Sequence, residues 1–164
     1  LTIERPDIAS SIELHFVGFL RSENQKLIRK LKLQAFVKDY GYVNHDESIA
    51  KLKSADVLWF MVGRRRNIDA ILPGKIYEYI GAKKPIIACV PDGAAKMAVE
   101  ETGAGFTCSP DNIDEIKSTI LKVYELYKNN SLPVPSEELL QKFRRDYLTE
   151  LLTKQFQLKL RADV

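Results

Sequence analysis

LPGKIYEYIGAKKPIIACV, residues 72–90, decides the fold of this chain. It reads as a loop, a short helix opening on Pro73 and Gly74, a turn at residues 83–85, and a buried strand. Proline suits a first helical turn, where its missing N–H would have no partner anyway. Gly74 lets the backbone come close to a bound group, and a helix start with free N–H groups is an anion site. Lys75 adds a positive charge. Helical spacing puts Gly74, Lys75 and Glu78 on one face and Ile76, Tyr79 and Ile80 on another, which can pack on a sheet. A cationic helix start with a carboxylate one turn later suits a nucleotide, with diphosphate at the tip and ribose hydroxyls at the acid. The alternative is a capped helix carrying a surface Lys–Glu pair, since helix termini commonly carry such charges.

Working outward, the preceding segment DVLWFMV, residues 56–62, is a continuous apolar run ending in Gly63. Together with residues 85–90 it predicts strands covered by helices on both faces. Residues 12–17 predict an earlier strand, with Ile12, Leu14 and Phe16 on one side, and residues 36–40 a short one. Helices are expected from about residue 22 to 33 (stripe Leu27, Ile28, Leu31), over 46–54, over 94–101 and over 111–128. Ile113, Ile116, Ile120, Val123, Tyr124 and Tyr127 make the stripe of the last. Residues 103–108 form a short strand. NNSLPVP, residues 129–135, is linker-like. A final helix should run from Ser136 to about residue 160, with Leu140, Phe143, Tyr147, Leu151 and Leu152 on one side. At ~1.5 Å per residue it is about 35 Å long, more than one small sheet needs as a cover.

Strands alternating with helices give an α/β fold with a mostly parallel sheet and right-handed crossovers. Ligands in such folds bind outside the carboxyl ends of the strands. Here those ends carry Gly18-Phe19, residues 41–45, residues 63–74 and residues 91–94. The opening stretch therefore lies on the expected binding edge.

The remaining composition bounds the class. A chain of 164 residues is about one domain, and its 45% hydrophobic and 29% charged residues are ordinary for a globular protein. A net charge of +3 gives no argument for nucleic acid. No run of about 18 apolar residues predicts a membrane span. Cys89 and Cys108 lie in apolar segments without metal-ligand spacing, which points to reduced, buried thiols and a cytoplasmic setting. His15 and His45 sit in no metal pattern. His45 borders a binding-edge loop, whereas His15 alternates with Glu13 as a structural residue would. Arg64, Arg65 and Arg66 could meet phosphates or form a solvated loop. Asp69 is an acid in the same loop. No nucleophile–base set has usable spacing, and no Gly-rich phosphate motif is present.

The segment DVLWF, residues 56–60, followed by PGKIYEYIGAKKPII, residues 73–87, resembles the C-terminal domain of a group-1, retaining, two-Rossmann-domain (GT-B) glycosyltransferase. Residues 12–18 resemble that family's "i-v-G" strand, residues 36–43 its "v-x-f-x-G-x-v" segment, and Gly103-Ala104-Gly105-Phe106 its late "t-G-x-G" turn. The likeness covers most of the chain. It implies a Rossmann-like nucleotide-sugar-binding domain over 1–128, a linker over 129–135, and a C-terminal helix over 136–164 that packs on the domain or crosses to an N-terminal domain. It implies an enzyme that moves a sugar, as a hexosyltransferase does (EC 2.4 class), from a nucleotide-diphosphate sugar to an acceptor, in cell-surface polysaccharide or glycoconjugate synthesis.

By the same resemblance, Glu78 binds the ribose hydroxyls. Gly74, Lys75 and the helix start at Pro73 and Ile76 hold the diphosphate, and among the loop arginines Arg66 is the candidate, by its charge alone, to join them. Tyr42 and Val43 lie against the base. Neither metal nor cofactor is implied, because the helix dipole and basic side chains neutralise the leaving diphosphate. The implied partners are the sugar donor and an N-terminal domain of the same enzyme, through which any peripheral membrane contact would come.

Two departures stand out. Many members carry a second Glu eight positions before the ribose-binding one, and that position here is Ala70. The chain instead carries the P-x-K-x-x-E-Y signature of a sub-branch, which leaves the residue facing the sugar unassigned, with Asp69 nearby. The family's opening strand and helix are also not found ahead of Leu1. The expectation is a fragment cut inside the domain, inactive alone, with an exposed sheet edge or gap. Two other classes stay open: a sugar-nucleotide epimerase of the same architecture, and a non-catalytic α/β binding module.

Overall fold

The computed structural model describes residues 1–162, in two compact units that divide between Ser54 and Ala55. In the first, Pro6 opens a one-turn helix, α1 (Pro6–Ala9), which buries Ile8 and Ala9. Strand β1 (Leu14–Phe16) leads through α2 (Ser22–Lys30) and a 3-10 turn (Gln34–Phe36) to β2 (Val37–Asp39), and α3 (His45–Ser54) closes the unit. The two strands are parallel, with Leu14 opposite Val37 and Phe16 opposite Asp39. Asn44 caps α3 by accepting the Glu47 N–H at 2.8 Å, so the helix starts one residue earlier than the sequence reading placed it.

The strand expected over 12–17 is shorter, and all three residues of β1 are exposed. Of the expected stripe on α2, Leu27 and Leu31 are also exposed. The reason is area: two short strands offer too little sheet for a helix to cover a face. Polar contacts tie this ladder instead. Glu13 accepts from Lys38 at 2.7 Å and pairs with His15 at 3.1 Å, and the Tyr40 hydroxyl meets His15 Nδ1 at 3.3 Å. The Lys38 ammonium, and then His15, hold the Glu13 carboxyl below its ordinary range.

The second unit is built on a three-stranded parallel sheet in the order β3 (Leu58–Met61), β4 (Ile86–Cys89), β5 (Gly105–Cys108). A 3-10 turn (Ile68–Ala70) and α4 (Lys75–Gly81) join β3 to β4, and α5 (Ala94–Glu101) joins β4 to β5. Helix α6 (Ile113–Lys128) follows, then α7 (Glu137–Gln141) and α8 (Arg145–Ala162). The parallel α/β reading therefore holds, but the strands form two open sheets rather than one ladder.

Residues alternate across β4, and both of its faces are buried. Ile87 and Cys89 join Cys108 and Val123 of α6 in one cluster, with Val57, Ile116 and Ile120 packed against it. On the opposite face lie Ile86 and Ala88, in register with Leu58 and Phe60 of β3. Phe60 meets Tyr79 of α4 edge-on at 5.9 Å.

Strand β3 corrects the expectation of two covered faces: Leu58 and Phe60 are buried, but Trp59 and Met61 are 39% and 66% exposed. Helix α6 packs on β4 and β5 and leaves that face of β3 uncovered. The two ends of the α6 stripe, Ile113 and Tyr127, are exposed as well.

Cys89 and Cys108 are free thiols, buried on adjacent strands with sulfurs 3.3 Å apart. Burial, and then the contact with Cys108, pushes the Cys89 thiol up to about 12.

The final segment is two helices rather than one. Ser136 caps α7 through the Leu139 N–H. The chain then turns through residues 142–144 in 3-10-type bonds, Phe143 N–H to Leu140 C=O and Arg144 N–H to Gln141 C=O. Tertiary contacts fix this break. Phe143 packs near Tyr77 of α4 (6.3 Å), Lys142 pairs with Glu101 at 3.0 Å, and Glu137 pairs with Lys83. Of the expected inward stripe, Leu140 is buried, whereas Tyr147, Leu151 and Leu152 on α8 are exposed. No helix among the described residues is long and apolar enough to cross a membrane.

Candidate functional site

The carboxyl ends of β3, β4 and β5 bring three loops together. Arg64, after β3, donates from Nε to Asp111 at 2.6 Å and from its terminal nitrogen to Ser109 Oγ at 3.2 Å, both after β5. It thus bridges the end of β4, where Asp92 pairs with Lys96 at 2.8 Å. The Lys96 ammonium, more than Arg64, holds the Asp92 carboxyl below its ordinary range.

Gly93 fixes the second junction. A Cβ there would lie 2.4 Å from the Asp69 carbonyl oxygen, and its φ is +140°. Only glycine lets the start of α5 sit against the 3-10 turn that carries Asp69 and Ala70. These braces hold the loop that delivers α4.

Helix α4 follows its sequence pattern closely. Ile76 and Ile80 are 0% and 1% exposed, and Tyr79 is half-buried. Burial, and then the neighbouring Glu78 charge, raises the Tyr79 hydroxyl above its ordinary value. These side chains press the helix onto the sheet. Gly74, Lys75, Tyr77 and Glu78 are left exposed.

Gly74 is the cap position and Lys75 the first helical residue, so Pro73 stands just ahead of the helix. The first turn is tight: Ile76 N–H donates to Pro73 C=O at 3.0 Å and Tyr77 N–H to Gly74 C=O at 3.2 Å. No side chain caps the start. A Cβ on Gly74 would meet nothing within 4 Å, so open space lies before it.

Among the described residues Lys75 and Glu78 form no ion pair, with each other or with another side chain. The surface Lys–Glu pair that was the alternative reading is therefore not made. What stands on this face is an uncompensated ammonium, a free carboxylate one turn on, and an uncapped helix start. Such a set can hold an anion and accept hydrogen bonds from hydroxyls.

The sequence-predicted residues distribute as follows. Gly74, Lys75 and Glu78 share the exposed face of α4. Ile76 is wholly buried, its N–H engaged by Pro73, so its side chain anchors the helix. Arg66 is exposed in the loop before the 3-10 turn, without an ion pair among the described residues. Tyr42 (exposed), Val43 (half-buried) and His45 (exposed) belong to the first unit, in the loop after β2 and the start of α3.

Sequence reasoning missed the bracing role of Arg64, whose partners lie 45 and 47 residues away. It also missed the close approach at Gly93, for which the Pro91-Asp92-Gly93 turn was the available signal.

A depression of about 330 Å3 lies at the other edge of the sheet, lined by Asp56, Lys84, Pro85 and Tyr127 among others. Asp56 and Pro85 precede β3 and β4, so this hollow is at the amino ends of the strands, away from the α4 face. No cluster of three metal-ligating side chains occurs among the described residues.

A search of curated proteins found no match to the chain. The family model described as glycosyl transferases group 1, a sugar-transferring family, matches residues 5–134, which span both units. That match covers most of the sequence and includes the α4 face, its bracing loops and all five strands, so the chain belongs to the group 1 glycosyl transferases.

Proposed function

We propose that this chain provides the donor-binding part of a transferase that moves a hexosyl group from a nucleotide-diphosphate sugar to an acceptor in cell-surface polysaccharide or glycoconjugate synthesis. Lys75, Arg66 and the uncapped start of α4 hold the diphosphate, and Glu78 accepts the ribose hydroxyls. In the first unit, Tyr42 and Val43 are assigned to the base. The observation that carries this reading is the exposed, unpaired Lys75–Glu78 face of α4 at the carboxyl edge of a parallel sheet, in a chain of a sugar-transferring family.

Separation of the cation and the carboxylate by one helical turn supports the assignment. A diphosphate needs positive charge and N–H donors, whereas ribose hydroxyls need an acceptor that no ammonium has already occupied. Ala70 offers no carboxylate toward the sugar, so the transfer step is not assigned to this loop. An epimerase reading would need an acid–base pair on this face, where Glu78 is the sole carboxylate of α4.

The test is calorimetry with UDP, GDP and ADP on the chain and on Glu78→Ala. Binding of one nucleotide that Glu78→Ala weakens supports the donor site. Absence of binding by all three points to a module without nucleotide affinity.

A further inference from the structure

The hollow at the amino ends of β3 and β4 lies wholly within the second unit and holds about 330 Å3. Two helix ends frame it. Helix α4 stops where Lys83 takes a φ of +58°, and α6 stops where Asn130 takes +50°. The Lys83 N–H donates to Ile80 C=O at 3.1 Å and the Asn130 N–H to Tyr127 C=O at 3.0 Å, so each chain turns sharply as it leaves its helix. Pro85 is buried, and its carbonyl accepts the Leu58 N–H at 2.8 Å, which ties the floor to the start of the β3–β4 ladder. Leu132 packs on the cluster around Cys89 and Val123 and fixes one wall. Backbone and core contacts thus shape the hollow in advance of any ligand.

Its polar side chains are unengaged. Among the described residues, Asp56 and Lys84 form no ion pair, and neither the Tyr127 hydroxyl nor the Asn130 amide has a hydrogen-bond partner. Lys84 is half-buried. Lys83, the other cation on the wall, is taken by Glu137. The free charges therefore cancel, one ammonium against one carboxylate, and the lining exerts no net pull on a phosphate or a cation. It offers a donor, an acceptor and an amide that is both, beside the apolar surfaces of Pro85, Leu132 and the Tyr127 ring.

We propose that this hollow binds a neutral saccharide ring, at a site separate from the α4 face and independent of the nucleotide reading. A sugar hydroxyl both donates and accepts, so it can donate to Asp56 and accept from Lys84, while the Asn130 amide serves either direction. The hydroxyls project from the rim of the ring and leave C–H faces apolar enough to lie on Tyr127. The volume is at the lower end of the ~300–1,000 Å3 of small-molecule sites, room for one or two sugar rings. A free amino acid would match the two charges but leave the amide and the phenol unused. A glycan held here would stay on the chain without occupying the donor face.

The experiment is amide-correlation NMR titration of the nitrogen-labelled chain. The probes are the methyl glycosides of glucose, galactose and mannose, N-acetylglucosamine, phenylalanine and inorganic phosphate. The expected result is saturable shifts at residues 83–84 and 127–132 with at least one sugar, and with neither phenylalanine nor phosphate. Tyr127→Ala should weaken that sugar roughly 2- to 10-fold through the lost ring. Asn130→Gly should weaken it by a similar factor, because glycine keeps the φ of +50° and removes only the amide. Melting curves check that both variants stay folded, and Glu78→Ala should bind the sugar as the unsubstituted chain does. Absence of any sugar-dependent shift at these residues would overturn the proposal, and so would unchanged affinity in both variants. Phenylalanine or phosphate shifting the same residues in place of the sugars would also overturn it, because the lining would then select charge. Sugar binding lost in Glu78→Ala but kept in Tyr127→Ala would put the ring on the α4 face and end the proposal as well.

Discussion

Replacing Gly93 with alanine should damage the second unit more than any exposed substitution in it. The new Cβ would lie 2.4 Å from the Asp69 oxygen and 2.6 Å from its Cα, and both atoms are backbone. Neither can rotate away, so the 3-10 turn or the start of α5 must shift. Overpacking of this kind costs about 1–3 kcal/mol. A side chain at φ +140° adds roughly 1–3 kcal/mol of backbone strain. Together they cost about 2–6 kcal/mol, toward the lower end where one shift relieves both. For a chain of this size each kcal/mol lowers Tm by roughly 2–4 °C, so the melting point should fall by about 4–24 °C.

Gly74→Ala is the control. Its Cβ meets nothing within 4 Å and its φ of −56° suits any residue, so Tm should move by no more than about 2 °C. Circular dichroism melts of the two variants beside the unsubstituted chain decide the matter. Equal melting points for Gly93→Ala and the unsubstituted chain would refute the packing of the Asp69 turn against α5.

Lys75→Ala should leave Tm nearly unchanged, because Lys75 is exposed and unpaired, yet weaken pyrophosphate and nucleoside diphosphate binding by about 1.5–3 kcal/mol, a loss that calorimetry reads and added salt reduces. The Cys89 thiol, raised by burial to about 12, makes stability depend on alkaline pH. A raised pKa means that stabilisation is complete below the ordinary thiol value of 9.0 and is lost as pH climbs from there toward 12, at about 1.4 kcal/mol per pH unit, so denaturant midpoints should fall over that window and Cys89→Ala should flatten the fall. The same burial should make both thiols inert to a thiol reagent in the native state at pH 8 and reactive after unfolding.

Particular residues explain how much of this was legible in the sequence. Ile86–Cys89 could be read as a doubly buried strand because every residue is apolar and the strand is central. Leu58–Met61 is equally apolar but lies at the sheet edge, and nothing in its own residues says that α6 stops short of Trp59 and Met61. The face of α4 was legible because helical spacing alone separates Gly74, Lys75 and Glu78 from Ile76 and Ile80.

The break after Gln141 was not legible. Lys142, Phe143 and Arg144 carry no helix-breaking signal, and contacts with Glu101 and Tyr77 from distant parts of the chain set the turn. Arg64 illustrates the same limit. Three adjacent arginines look alike in sequence, and only the fold shows that Arg64 is engaged by Asp111 and Ser109 while Arg65 and Arg66 stay exposed.

Calorimetric titration of UDP, GDP and ADP into the chain and into Glu78→Ala shows directly whether the Lys75–Glu78 face of α4 binds a nucleotide donor. At least one nucleotide should bind, and Glu78→Ala should weaken it about 10- to 150-fold, the loss of charged hydrogen bonds to the ribose hydroxyls. Binding unchanged in Glu78→Ala, or no binding of any of the three, would contradict the donor assignment.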